Sequence, residues 1–169
     1  MTTLMTRNFI WFAAATLLII SAFFITRPAI ADDGVILTVS GKIAGGGKRD
    51  FTLEDLEKIG MTSFVSPNNW MEGTHKFEGV PFQKFLETVG AAGTSLMVVA
   101  LNEYEAEIPM SAVKGKPALL VTRIDGETIS VREKGPVWIL YPQTDDYPDY
   151  KKPPFTHYMV WQLRNIDVR

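Results

Sequence analysis

The sequence predicts one domain of the α+β class, built from short strands with two short helices among them. Three observations carry this. Phe82, Phe85, Leu86 and Val89 recur at i, i+3, i+4 and i+7, a single apolar stripe, so the helix that bears them lies on a sheet. Short apolar or alternating runs recur along the chain: Val35 to Val39, Leu96 to Leu101, Tyr104 to Ile108 and Val137 to Tyr141. Between two further runs, Ala118 to Ile124 and Glu127 to Val131, stands Asp125-Gly126, the strongest short-range hairpin signal in the chain. A length of 169 residues suits one domain plus an N-terminal leader.

The leader is the stretch before Asp32. Arg7 precedes an uncharged, mostly apolar run from Asn8 to Thr26, followed by Arg27-Pro28 and the small-x-small pattern Ala29-Ile30-Ala31. This reads as a secretory signal peptide, residues 1–31, cleaved to leave the domain 32–169 in the periplasm. An uncleaved anchor is the rival, the run being near the lower limit of a membrane span; Ala29 and Ala31 favour cleavage. Cleavage removes Arg7 and Arg27 and no acid, leaving 15 basic and 19 acidic side chains, net −4, which excludes a nucleic-acid binder. The exported chain has no cysteine, so disulfides, thiolate chemistry and cysteine-ligated metals are all unavailable. His75 and His157 lack a ligand-like spacing and read as solvated or core-edge histidines, with no metal site.

In chain order, Val35 to Val39 and Gly41-Lys42-Ile43 give a strand, and Gly45-Gly46-Gly47 a flexible hairpin turn, since no Lys-Ser/Thr follows to make a phosphate loop. Thr52 caps the first helix, with Asp55 at its third position, Phe51 and Leu56 spaced as a hydrophobic staple, and Gly60 at its end. Met61 to Val65 is strand-like and breaks at Ser66-Pro67-Asn68-Asn69, which leaves Trp70 in a polar loop. Pro81 opens the second helix and Gly90 ends it. Glu103, Glu105 and Glu107 alternate with Tyr104, Ala106 and Ile108, a solvated face that discourages edge pairing. Met110 to Val113 is one helical turn. Pro142 to Phe155, rich in proline, aspartate and tyrosine and without periodicity, is a long surface loop, ordered and functional. Tyr158 to Val168 is strand-like, with Trp161, Leu163, Ile166 and Val168 apolar but out of simple alternation, which predicts a bulge near Arg164-Asn165.

Four segments in this order, FEGVPFQKFLETVGA (77–91), VVALNEYEAEIPMSAV (98–113), ALLVTRIDGETISVREKGPVWILYP (118–142) and YMVWQLRNIDV (158–168), resemble the sulfite-oxidase-type molybdopterin-binding domain. The resemblance covers about two thirds of the chain. It implies a single mixed-sheet α+β domain whose pterin cleft lies among loops at one side. The oxidoreductases of that family hold molybdenum through a cysteine thiolate upstream of the GVP-type helix. Here the neighbourhood reads Thr62-Ser63-Phe64-Val65-Ser66-Pro67, and Ser66 is the nearest stand-in, a hard hydroxyl for a soft thiolate. The basic residues that grip the cofactor phosphate also lack a counterpart in the acidic stretch Gln143 to Tyr150.

The chain is similar to the short, secreted, cysteine-free branch of this fold, in which a reduced, unphosphorylated pterin is the ligand, without molybdenum. That branch reports to an inner-membrane sensor protein, with a periplasmic domain, that makes or degrades cyclic di-GMP. By itself an indole in a turn-rich segment is more often a core cover; the resemblance points instead to Trp70 as the stacking wall of a cleft. Ser66, Asn102, Tyr104, Tyr141, Asp145 and Asp146 are the other candidate ligand contacts. Each has a plainer alternative: Asn102 as a turn residue, Tyr104 and Tyr141 as core, Asp145 and Asp146 as solvated charge. No residue is assigned a catalytic role. Two further functional readings stand beside this one, a molybdopterin-dependent oxidoreductase with an oxygen-ligated or partner-supplied metal, and an accessory subunit with an empty cleft.

Overall fold

The structure is a computed structural model, and it describes residues 34–169; the leader, read above as a signal peptide, lies outside them. Thirteen elements follow one another: β1 (Val35–Gly41), β2 (Lys48–Thr52), α1 (Leu53–Ile59), β3 (Thr62–Asn68), β4 (Met71–Pro81), α2 (Phe82–Thr88), β5 (Ser95–Ala100), β6 (Glu105–Pro109), β7 (Leu119–Ile124), β8 (Glu127–Thr128), β9 (Trp138–Leu140), α3 (Phe155–Tyr158) and β10 (Leu163–Val168). They form two five-stranded sheets. One runs β2-β1-β10-β5-β6, the other β3-β4-β7-β8 with β9 also on β7. The pairing of β1 with β10 is parallel and every other pairing antiparallel, so the fold is mixed α+β as predicted.

Side-chain alternation decides which faces meet. In β5 Leu96, Val98 and Ala100 are buried and their neighbours are not, whereas Leu119 to Thr122 of β7 are buried without a break. A strand covered on both faces sits in the middle of its sheet, and β7 does. The buried side chains of both sheets and both longer helices form one continuous cluster. At Gly79, where the β4–β7 register shifts, a Cβ would run into the carbonyl oxygen of Leu120, so only glycine permits the approach.

The helices follow their sequence signals. Thr52 Oγ1 accepts from the N–H of Asp55 at 3.2 Å, the Asp55 carboxylate accepts the Thr52 N–H at 3.1 Å, and Phe51 and Leu56 are both buried. Arg123 on β7 then clamps α1 to the sheet with two bonds to Glu57, 2.8 and 3.1 Å, and the buried Thr122 hydroxyl donates to the same carboxylate. That guanidinium holds the Glu57 carboxyl below its ordinary value. Phe82, Phe85 and Leu86 are the buried side of α2, and Gly90 just beyond it has φ +64°. Asp125 and Gly126 both have positive φ, as a tight β7–β8 hairpin requires.

Three expectations need correction. The chain does not break at Ser66: β3 continues through Pro67 to Asn68, and β4 starts at Met71, so residues 62–81 are a long hairpin with Asn69 and Trp70 at its turn. Proline is tolerated there because β3 is the edge strand of its sheet, where a missing N–H costs no ladder bond. The stretch from Pro142 is not all surface, since Gln143 and Tyr150 are buried and the segment includes a 3-10 turn at Pro148–Lys151 and leads into α3. The last strand starts only at Leu163, with the register shift between Leu163 and Asn165.

Two outcomes follow. Thr52→Ala should cost about 1 kcal/mol of stability, the usual loss of an N-cap, measured by denaturant unfolding. The imidazole of His75 in β4 bonds the Asp125 carboxylate at 2.7 Å and the Glu72 carbonyl at 2.8 Å, which raises its pKa above the ordinary 6.5, and Asp125 is lowered below 3.8. A raised folded-state pKa gives stability that is complete below 6.5 and lost as pH rises through the folded value; the carboxylate's share is complete above 3.8 and lost on acidification. Melting temperature should therefore fall as pH is raised beyond 6.5, and Asp125→Asn should flatten that dependence.

Candidate functional site

Three turns meet around a cavity of about 220 Å³ lined by Trp70, Asn102, Tyr104, Thr156, Met159, Val160 and Trp161. The β3–β4 turn brings Trp70. Its N–H donates to the side-chain oxygen of Asn68 at 2.8 Å, a local bond that holds the turn. The β5–β6 turn brings Asn102 and Tyr104, closed by Ala100 N–H to the Tyr104 carbonyl at 3.0 Å, with Glu103 at φ +65°. The segment before β10 brings Met159, Val160 and Trp161. There Gln162 takes φ +53°, and its backbone and side chain bond the carbonyls of Lys134 and Val131 and the N–H of Leu101, which fixes Trp161 next to it.

The walls are aromatic. The ring of Trp70 lies 5.7 Å from Trp161 and 5.9 Å from the buried Trp138, and those two are 6.4 Å apart. Lys134 joins the trio: its ammonium stands 5.7 Å from the Trp161 ring centre and donates to the Trp70 carbonyl at 3.3 Å. Trp70 is half-buried, so it both covers core, as indoles usually do, and presents a face to the cavity.

Polar groups at the rim have defined free valences. The Asn102 side-chain oxygen accepts the Tyr104 N–H at 3.3 Å, which leaves its NH₂ to donate. The Tyr104 hydroxyl donates to the His157 carbonyl at 3.1 Å, which leaves its lone pairs to accept.

Of the residues singled out in the sequence, Trp70, Asn102 and Tyr104 thus come together, and the others do not line this cavity. Ser66 is buried; its hydroxyl donates to the Pro67 carbonyl at 2.6 Å and accepts the Gln143 N–H at 2.7 Å. Tyr141 is buried against Tyr150 and Phe155, its hydroxyl donates to the Ala112 carbonyl at 3.0 Å, and burial pushes its phenol well above the ordinary value. Asp145 is exposed and paired with Lys151 at 2.6 Å, and that ammonium holds its carboxyl low. Asp146 is exposed.

The sequence reading missed Trp161, which it took as one more apolar residue of a strand, and Gln143. The Gln143 amide is buried, accepts the Asn69 N–H at 3.0 Å and donates to the Tyr150 carbonyl at 3.1 Å, so it ties the Trp70 turn to the 142–155 segment. A signal for Trp161 was present in the broken alternation after Tyr158. None marked Gln143. Ser66→Ala would strip the buried Gln143 N–H of its acceptor and should destabilise by about 1–3 kcal/mol, seen as a lower unfolding midpoint.

Comparison with known proteins comes in three parts. Residues 28–147 match the family described as oxidoreductase molybdopterin binding domain. The fold matches the crystal structure of the sulfane dehydrogenase SoxCD from Paracoccus pantotrophus with a TM-score of 0.59 at 17% identity, over 78% of this chain and 37% of that one, so the chain spans well under half of that protein's length. No curated protein sequence matches. The family name implies a molybdenum-bearing pterin, and its two parts fare differently against these side chains. The chain has no cysteine, no group of His, Cys, Asp or Glu among the described residues is placed to hold a metal ion, and the Ser66 hydroxyl is engaged on both sides, so the donor set does not fit molybdenum. The indoles of Trp70 and Trp161 meet edge to face at 74°, so an open indole face with a donor and an acceptor at the rim does fit a flat, hydrogen-bonding bicycle stacked on one side. On the extent of the sequence match, with the fold in agreement, the chain belongs to the oxidoreductase molybdopterin-binding domain family.

Proposed function

We propose that this protein is a periplasmic pterin-binding module, without redox turnover of its own, that reports a reduced, unphosphorylated pterin to an inner-membrane sensor protein controlling cyclic di-GMP. The observation that carries the binding half is the cavity bounded by Trp70 and Trp161 with Asn102 and Tyr104 at its rim. A pterin ring stacks on an indole face. Its 4-oxo group is an acceptor for the Asn102 NH₂, and its 2-amino group is a donor to the Tyr104 hydroxyl, the valence each side chain keeps free. The cavity, about 220 Å³, is smaller than the roughly 300–1,000 Å³ of drug-sized sites and suits a bicycle better than a pterin carrying a nucleotide tail. The absence of a cysteine thiolate supports a ligand taken up without molybdenum. The reporting half rests on the resemblance to the short, cysteine-free branch and on the leader pattern before Asp32.

Mass spectrometry of the small molecule that copurifies tests the ligand class. A pterin supports the proposal. A molybdenum-bearing cofactor at one per chain overturns it, as does protein that arrives empty and binds no added tetrahydropterin. Within the proposal Trp70 bears more of the affinity than any other side chain. Trp70→Ala should weaken tetrahydropterin binding by about 1–3 kcal/mol, roughly ten- to two-hundred-fold, in a fluorescence or calorimetric titration. Because the same ring packs on Trp138 and Trp161, the melting temperature should also drop. A large drop in stability with unchanged affinity in the folded fraction would remove Trp70 from the site.

A further inference from the structure

The two sheets present four edges to the surroundings, and three are guarded. β2 carries Lys48, Arg49 and Asp50, β6 carries Glu105 and Glu107, and β8 is two residues long. The fourth, β3, is seven residues long and has no charge, TSFVSPN. Its ladder runs to β4 alone, and among the described residues no other backbone–backbone hydrogen bond reaches it; at its far end the Gln143 N–H bonds the Ser66 side chain only. An unpaired, uncharged edge is a template for another strand, which natural sheets usually block with charge, shortness or cover. Large apolar side chains lie on the outer face of this one: Val65 is 60% exposed, and Met61, four residues earlier and therefore on the same side, is 39% exposed.

We propose that β3 is a self-association edge: two copies of this protein pair β3 with β3, antiparallel across a two-fold axis, and join their second sheets into one. The argument for a second copy as the occupant is electrostatic and geometric. A neutral strand meets itself without repulsion, and the nearest charges on β4, Lys76 and Glu78, already neutralise each other at 2.7 Å. A two-fold axis sets the same patch against itself, and with the axis at Ser63 the Val65 of each copy lies opposite Met61 of the other, apolar against apolar. Pro67 has no N–H to offer and limits the new ladder to Thr62 through Ser66. So short a ladder buries less than the roughly 1,200 Å² of a standard interface, so the dimer is weak and concentration-dependent. This inference does not depend on the pterin reading.

Sedimentation equilibrium of the purified chain over a range of concentrations tests it. The weight-average mass should climb from the monomer towards twice that value, and Val65→Lys, a change at an exposed position, should hold it at the monomer with the thermal melt little altered. The cysteine-free background allows a second measurement: single cysteines at Ser63, Phe64 and Val65, with Arg49→Cys on β2 and Glu105→Cys on β6 as controls, under mild oxidation. The residue nearest the axis should form a disulfide-linked dimer well above both controls. A mass that stays monomeric at all concentrations, a dimer that survives Val65→Lys, or cross-linking no greater on β3 than on β2 and β6 would each overturn the proposal.

Discussion

The buried meeting of Ser66 and Gln143 is the constraint on which the site depends. Ser66 sits near the end of an edge strand, and Gln143 opens the least regular part of the chain, seventy-seven residues later. Both side chains are fully engaged: the Ser66 hydroxyl accepts the Gln143 N–H and donates to the Pro67 carbonyl, and the Gln143 amide bonds Asn69 on one side and Tyr150 on the other. Polar groups taken from water without partners cost about 1–3 kcal/mol each, so a half-made version of this network would be worse than none. Complete, it holds the Trp70 turn against the 142–155 segment. Each of these two parts would otherwise be a loop with little apolar area of its own.

Two aromatic clusters extend from this junction. Tyr141, Tyr150 and Phe155 pack within about 5 Å of one another and bury a segment whose sequence is mostly proline, aspartate and lysine. Their burial explains how an irregular stretch becomes ordered without a ladder. The other cluster turns Trp70 and Trp161 to the cavity with the buried Trp138 packed behind them, and Lys134 supplies a cation near the rings of Trp138 and Trp161. An ammonium over an indole is attracted by the ring quadrupole, and its bond to the Trp70 carbonyl ties that attraction to the turn. The wall is therefore held by electrostatics on one side and by packing on the other.

Local chemistry made much of this legible in the sequence. The capping box of Thr52 and Asp55, the Phe82-Phe85-Leu86 stripe and the Asp125-Gly126 turn each depend on residues within one turn of one another, and each is present in the structure. Trp70, Asn102 and Tyr104 were picked out by the resemblance together with their amphipathic or polar chemistry; an indole in a turn reads by itself as a core cover. Ser66 and Tyr141 were placed among them because sequence does not tell whether a hydroxyl is aimed at a ligand or at a carbonyl. Here Pro67 and Ala112 take those hydroxyls, the latter across 29 residues. Pro67 misled in the other direction, since proline ends a strand only if its missing N–H belonged to a ladder, and on an edge it does not. Gln143 had no local mark at all. Its role is defined by three partners remote in sequence or hidden within an irregular segment.

The difference between a metal-bearing cofactor site and this one is also a difference in how long a ligand stays. A thiolate–metal bond holds a cofactor tightly, whereas this cavity, with its two indoles at 74° to each other, offers a flat ring one indole face to stack on, one amide donor and one phenol acceptor, all uncharged. Stacking on one face contributes about 1–3 kcal/mol and each of two neutral hydrogen bonds about 0.5–1.5, so the sum is roughly 2 to 6 kcal/mol, or binding from tens of millimolar to tens of micromolar. Under the proposed function that range suits a ligand whose concentration is to be read, because a reporter must release as readily as it binds. With no fixed charge at the rim, the main ways to tighten the site are to stiffen Trp70 and Trp161. The Gln143 junction and the Lys134 contact already do so from outside the cavity, which makes the rigidity of the walls, more than any single ligand contact, the quantity on which affinity turns.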